Sequence, residues 1–276
     1  MATVEQIKNS SVVTKTTLII DSKFRTSGEI NNFTYDLGTT LENVQLIEIR
    51  NIAFTNILEN INENNNKLNW VDNLGVTHFD VIEPGNYNTT RLSTAIGEAM
   101  TNSTTSSDYY PVNIDFNSAK YTISNSAGIT FDLKFGISAD ESIGPAIGFG
   151  ITNYLGITTL EGAKQFSLVP AKSLFIGSTV IASNSADVIE LSNGVSNICY
   201  EFYLTDTFGN IVNNGNEIRS IKSSSPYTLS TLDFTISDDN GDEILIPATA
   251  NEDAEGGIFK IVLDVYTGIF NLSYYD

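Results

Sequence analysis

The sequence predicts an all-β protein, a sandwich or jelly roll, on three observations: apolar residues alternate with a period of two along many short runs, Asn- and Gly-rich turns separate those runs, and only one stretch has clear helical spacing. An alternating run buries one face, so several must pair to close a core. The chain has 276 residues, 41% hydrophobic and 10% aromatic. That is enough to bury such a core in one large or two smaller domains without a metal or a bridge.

From the N-terminus, "MATVEQIKNSSVVTKTTLII" lacks a basic region leading into a long apolar one, so no leader is expected, and residues 1–10 read as a flexible arm. No stretch reaches the ~18 apolar residues of a membrane span, and no membrane insertion is expected. Next, "LIIDSKFRTSGEINNFTYDL" runs from an apolar segment through the charges Asp21, Lys23 and Arg25 to a polar turn and a second strand. The Asn-rich "ENINENNNKLNW" (59–70) reads as an exposed loop and a boundary. "THFDVIEPG" carries His78 on a strand, and "EPGNY" stops that strand. In "TTRLSTAIGEAMTN" (89–102), Leu92, Ile96 and Met100 recur every fourth residue, with Thr89 or Thr90 as cap, which predicts an amphipathic helix packed on a sheet.

Alternation then returns. It places Val112, Ile114 and Phe116 on one face, then Phe131, Leu133 and Phe135, later Leu232, Phe234 and Ile236, and last Phe259, Ile261, Leu263 and Val265. Turns at "NSAK", "NSAGI", "FGN" and "DDNGD" supply residues that tolerate positive φ. Residues 137–166 are Gly-rich with little alternation. "FYLTDTFGN" (202–210) and "FTISDDNGD" (234–242) echo each other, aligning Asp206 with Asp238, as two strand-turn units under one geometric demand would.

Acidic residues outnumber basic ones 33 to 14, a formal charge of -19, with no basic cluster to neutralise phosphates; nucleic-acid binding is excluded as an expectation. Cys199 is the only cysteine and sits in the apolar "ICYEFYL", which predicts a buried thiol and rules out a disulfide within the chain.

Candidate chemistry is sparse. His78 is the only histidine, so a Ser-His-Asp triad would have to use it, and a partly exposed or core histidine is the competing reading. Glu201 and Asp233 are a carboxylate pair that could meet across strands, as a glycoside hydrolase would need. Asp238, Asn240 and Asp242 resemble half of a calcium loop, but the motif lacks the closing Glu and flanking helices, and Asn-Gly is a common hairpin turn. Gly144, Gly148 and Gly150 in "GPAIGFG" lack a following P-loop Lys and read as a close-packed turn. The aromatic "YTGIFNLSYYD" reads as strand and core packing, with sugar stacking as the alternative.

Taken in order, "IDSKFRTSGEINNFTYDL", "VQLIEIRNIAFTNI", the Asn-rich segment, "VIEPGNYNTTRLSTAIGEAM", a hairpin, "YLGI" and "LDFTISDDNGDEI…FKIVLDV" resemble the minor capsid or penton (vertex) proteins of virophages, polinton-like viruses and large DNA viruses. The chain departs from that pattern at Ala53-Phe54-Thr55-Asn56, where such proteins often carry a Pro-Asn pair. The resemblance implies a single jelly-roll β-sandwich with an inserted α+β subdomain carrying one helix. Residues 11–60 and 165–276 would form the jelly roll and 61–164 the insertion. It further implies a structural virion protein, no enzyme and no cofactor, forming homopentamers at five-fold vertices and touching major capsid protein trimers. Its location would be the capsid vertex, after assembly in host cytoplasm or nucleus. On this view Asp21, Lys23 and Arg25 are assembly contacts; a solvated strand end is the alternative. Three other functions stay open: a cement protein beneath the shell, an attachment module whose partner is a host-surface glycan, and a glycoside hydrolase.

Overall fold

The computed structural model describes residues 3–9, 13–169, 171–185, 187, 189–190, 197–204, 208–214, 217–246 and 258–268. In chain order the elements are α1 Val4–Asn9, β1 Val13–Asp21, a 3-10 turn Ser22–Phe24, β2 Ser27–Glu29, β3 Asn32–Thr55, β4 Lys67–Val71, β5 Thr77–Val81, α2 Thr89–Ser103, β6 Val112–Asp115, β7 Lys120–Ser124 and β8 Phe131–Lys134. A 3-10 turn Ala139–Glu141 follows, then β9 Asn153–Ile157, β10 Thr159–Glu161, β11 Ser173–Gly177, α3 Thr179–Ser183, β12 Ile198–Tyr203, β13 Ile211–Asn213, β14 Arg219–Ser237 and β15 Phe259–Gly268. The chain forms two compact units, Met1–Leu58 with Ala171–Asp276, and Glu59–Pro170.

The first unit is built on one antiparallel sheet in the order β1-β15-β3-β14-β11-β12, with β2 and β13 also pairing with β3. Strand β3 is 24 residues long: residues 32–36 pair with the end of β14, 44–49 pair with its start, and 44–54 pair with β15 on the other edge. A strand rises ~3.3 Å per residue, so a straight β3 would hold Phe33 and Phe54 about 70 Å apart. Instead Phe259, the ladder partner of Phe54, has its ring 6.1 Å from the ring of Phe33. The strand must therefore turn back, and the sheet rolls over its own core. The bend has local causes: Gly38 (φ 65) and Asn43 (φ 57) adopt left-handed backbone, and the facing stretch of β14 shifts register between Lys222 and Thr231. Phe33, Phe234 and Phe259 form an aromatic centre inside the roll, with Phe54 packed edge-on to Phe202. The architecture is all-β and jelly-roll-like.

The start of the chain departs from the expected flexible arm at residues 1–10. Val4–Asn9 form α1, and Ile7, 2% exposed, packs with Leu46 and Tyr266 on the outer face of the sheet. Six residues cannot sustain an isolated helix, so docking on the sheet must hold it. This explains why β3 is buried on both sides from Val44 to Ile49: Ile47 and Ile49 enter the core, while Leu46 and Glu48 lie under α1.

The second unit holds the sheets β5-β4-β8-β9 and β10-β7-β6 with α2. The helix buries Leu92, Ile96 and Met100, the predicted stripe. Its cap is Asn88, whose side chain accepts from the Arg91 N–H at 2.9 Å, and not Thr89 or Thr90; Asn is among the best N-cap residues and the helix starts one residue after it. Phe131, Leu133 and Phe135 are buried as their alternation predicts, but Phe116 is 71% exposed. Strand β6 stops at Asp115, whose carboxylate accepts from the Asn117 N–H and the Ser118 hydroxyl, and that turn carries Phe116 out of the pattern.

Candidate functional site

The largest charged assembly in the first unit is one that periodicity missed. Glu48 on β3 and Asp264 on β15 are direct ladder partners, 0% and 3% exposed. Two carboxylates so placed would repel strongly in a low-dielectric setting unless cations surround them. Lys8 from α1 lies 2.6 Å from Glu48, Lys15 from β1 lies 3.0 Å from Asp264, and Arg50 lies 3.9 and 3.6 Å from the two acids. Tyr266 and Ser220 donate to Glu48, and Thr17 donates to Asp264. Burial by itself would push the Glu48 carboxyl up, but the bonds from Lys8, Ser220 and Tyr266 and the Lys8 charge hold it below the usual range. Asp264 is likewise held low against burial, by Thr17, Lys15 and Arg50. Tyr266 is pushed up to about 12 by burial and by these carboxylates. Both acids are thus ionised, with no proton to give, so the cluster ties β1, β3, β15 and α1 together and is not an acid/base pair. A signal was present: a lone acid inside the apolar runs "LIEI" and "IVLDV" demands a partner.

The predicted assembly residues lie at the end of β1. Asp21 is 6% exposed; one oxygen accepts from the Lys23 N–H at 3.0 Å and the other pairs with Lys260 at 3.3 Å. Arg25 donates to the carbonyls of Gly28 (2.8 Å) and Ser22 (3.1 Å), stapling the turn. Gly28 has φ +89, and a Cβ there would lie 2.3 Å from the Asn32 carbonyl oxygen, so only glycine fits. Asp21 and Arg25 therefore serve the fold, and the outward groups are Lys23 and the neighbouring Phe24, 65% exposed.

Glu201 and Asp233 do not face each other: β11 lies between their strands β12 and β14. Asp233 accepts from the backbone N–H groups of Thr179 and Val180 and the hydroxyl of Ser178, completing the start of α3. Those bonds outweigh burial and lower its carboxyl. In the calcium-like loop, Asp238 accepts from the N–H groups of Asn240 and Asp242 while Gly241 takes φ +83, which is the hydrogen-bonding of a hairpin turn. Among the described residues no cluster of three or more His, Cys, Asp or Glu side chains suits a metal ion. Asp206, the partner of Asp238 in the internal echo, and the terminal aromatics from Phe270 onward lie outside the described residues.

In the second unit His78 stacks on Trp70, ring centroids 4.5 Å apart, with Nε2 3.0 Å from Asp72 Oδ2. Asp72 also accepts from Thr104 and from the N–H groups of Leu74 and Val76, and these bonds outweigh burial to lower its carboxyl. The histidine is a satisfied, half-buried group with no serine on its ring among the described residues. Cys199 is 1% exposed, and burial pushes its thiol up to about 12, which makes it inert. Gly148, at φ +85, would place a Cβ 2.3 Å from the Lys164 carbonyl oxygen, and Gly144 would place one 2.9 Å from the Phe135 ring, so these glycines serve close packing.

The geometry defines a class, an all-β, jelly-roll-like structure whose buried carboxylates are spent on holding strands and turns. No protein-family model matches the chain, and no curated protein sequence does. Two solved structures are similar along nearly its whole length. One is the mavirus penton protein, with 10% identity, a TM-score of 0.43, and coverage of 94% of this chain and 99% of that one. The other is a chain of the Sputnik virophage structure, with 12% identity, a TM-score of 0.45, and coverage of 94% and 98%. At this degree of superposition neither neighbour assigns a function to this chain.

Proposed function

We propose that the chain is a structural virion protein, a minor capsid protein that forms the homopentameric penton at five-fold vertices and contacts the major capsid protein. The observation that carries this reading is the succession of sequence blocks, from Ile20 to Val265, that resembles the order seen in penton proteins. It is supported by the way the first and last of those blocks fold, as a rolled sheet whose two long strands each span both halves of the roll. The disposition of charge agrees: Glu48, Asp264, Asp233 and Asp72 are held as anions by internal donors, which suits a building block better than an acid/base catalyst. Closure into a ring would also use up head-to-tail contacts that otherwise propagate. Lys23 and Phe24 are the residues of the β1 turn offered to a neighbour.

Light scattering over a wide concentration range tests the reading. A species of about five times the 30.1 kDa chain is expected, alone or on addition of the major capsid protein. A stable dimer or trimer overturns it. So does a protein that stays monomeric and is absent from the vertices of particles assembled with the major capsid protein; a monomer bound elsewhere beneath the shell would mark a cement protein.

A further inference from the structure

We propose that the trough between α2 and residues 109–112 is a binding site for a neutral glycan. It stands independently of the capsid reading. The trough exists because Gly97 interrupts the outer surface of α2: a Cβ there would lie 3.1 Å from the Tyr110 carbonyl oxygen, so the bare glycine lets residues 109–112 run close along the helix. The two are tied by the Tyr110 N–H, which donates to Thr101 Oγ1 at 3.2 Å. The resulting cavity has a volume of about 360 Å³, at the small end of the range for small-molecule sites.

One wall carries an aromatic side chain on a backbone that is held in place. Tyr109 is 58% exposed, yet its N–H donates to Ser126 Oγ (3.1 Å) and its carbonyl accepts from the Ser126 N–H (3.0 Å). The next residue, Tyr110, is fully buried against Trp70 and Phe131, which fixes the backbone that carries Tyr109. The other wall is polar: Thr94, Glu98 and Asn102 are exposed on successive turns of α2. The side chains of Glu98 and Asn102 form no hydrogen bond among the described residues. An exposed aromatic ring lining the same trough as a free carboxylate and a free amide supplies the groups a sugar ring uses. Its C–H face packs on the ring, and its hydroxyls donate to and accept from the planar groups. The fixed backbone at residues 109–110 removes part of the ordering cost. The carboxylate of Glu98 and the net charge of -19 select against sialylated or sulfated sugars.

The full-length protein, multimerised on beads, would be applied to an array of neutral and sialylated oligosaccharides, and soluble hits titrated into the ¹⁵N-labelled protein. Binding confined to neutral glycans is expected, with amide shifts at residues 94–102, 109, 110 and 112. Tyr109→Ala and Glu98→Gln should each weaken binding about tenfold. Both side chains are exposed, so both variants should melt as the parent does. The proposal is overturned if no neutral glycan binds, if sialylated glycans bind equally well, or if binding survives both substitutions.

Discussion

Single residues decide the β1 turn and the charged cluster beneath α1. Gly28→Ala forces a Cβ into the Asn32 carbonyl at a positive φ, and a loss of roughly 2–3 kcal/mol in urea unfolding is expected. Arg25→Ala removes two bonds to turn carbonyls, and should lower stability by about 1 kcal/mol as well as any assembly. Lys23→Glu should leave the melting temperature unchanged and still impair assembly if the proposed contact is real. The cluster gives a pH dependence with a definite sign. Glu48 and Asp264 are held below their unfolded values, so the stability they contribute is present above the ordinary carboxylate value near 4 and is lost as pH falls through their lower folded values. Between neutrality and that point, protonation of other acids relieves the -19 self-repulsion and acts the opposite way. The melting temperature is therefore expected to peak at mildly acid pH and fall steeply below about pH 4. A Glu48→Gln/Asp264→Asn variant should lose part of that acid limb, the rest belonging to Asp72 and Asp233, which are also held low.

Elements differ in how far the sequence revealed them. Helix α2 was legible because Leu92, Ile96 and Met100 carry a local period that the fold merely uses; Ile96→Ala should cost about 2–4 kcal/mol, measured by thermal or urea unfolding. Strands β8 and β15 were legible for the same reason, their alternation surviving as burial. Helix α1 was not, since six residues hold no period worth reading and its stability comes from Ile7 and Lys8 meeting β3 and β15. Deleting residues 1–9 should lower the melting temperature and speed hydrogen exchange at the amides of 45–49. Nor was the length of β3 legible: Gly38 and Asn43 are residue types common in turns, and the sheet uses them as bends inside one continuous strand.

At the scale of the molecule, each unit has its own hydrophobic core and, by chance of composition, its own probe: Trp70, the sole tryptophan, is buried in the second unit, and Cys199, the sole cysteine, in the first. Ile96→Ala should move the Trp70 fluorescence midpoint further than the midpoint of Cys199 labelling in the same urea series. Coincident shifts would mean that the units unfold as one. The sequence by itself determined the β class, the inward face of most strands and the one long helix, because each follows from a repeat within a few residues. Only the tertiary structure decided that Glu48 would meet Tyr266, 218 residues away, that Asp233 would cap α3, and that Glu201 would be left apart from it. Such partners are set by strand order and register across the whole chain, and no local period encodes them.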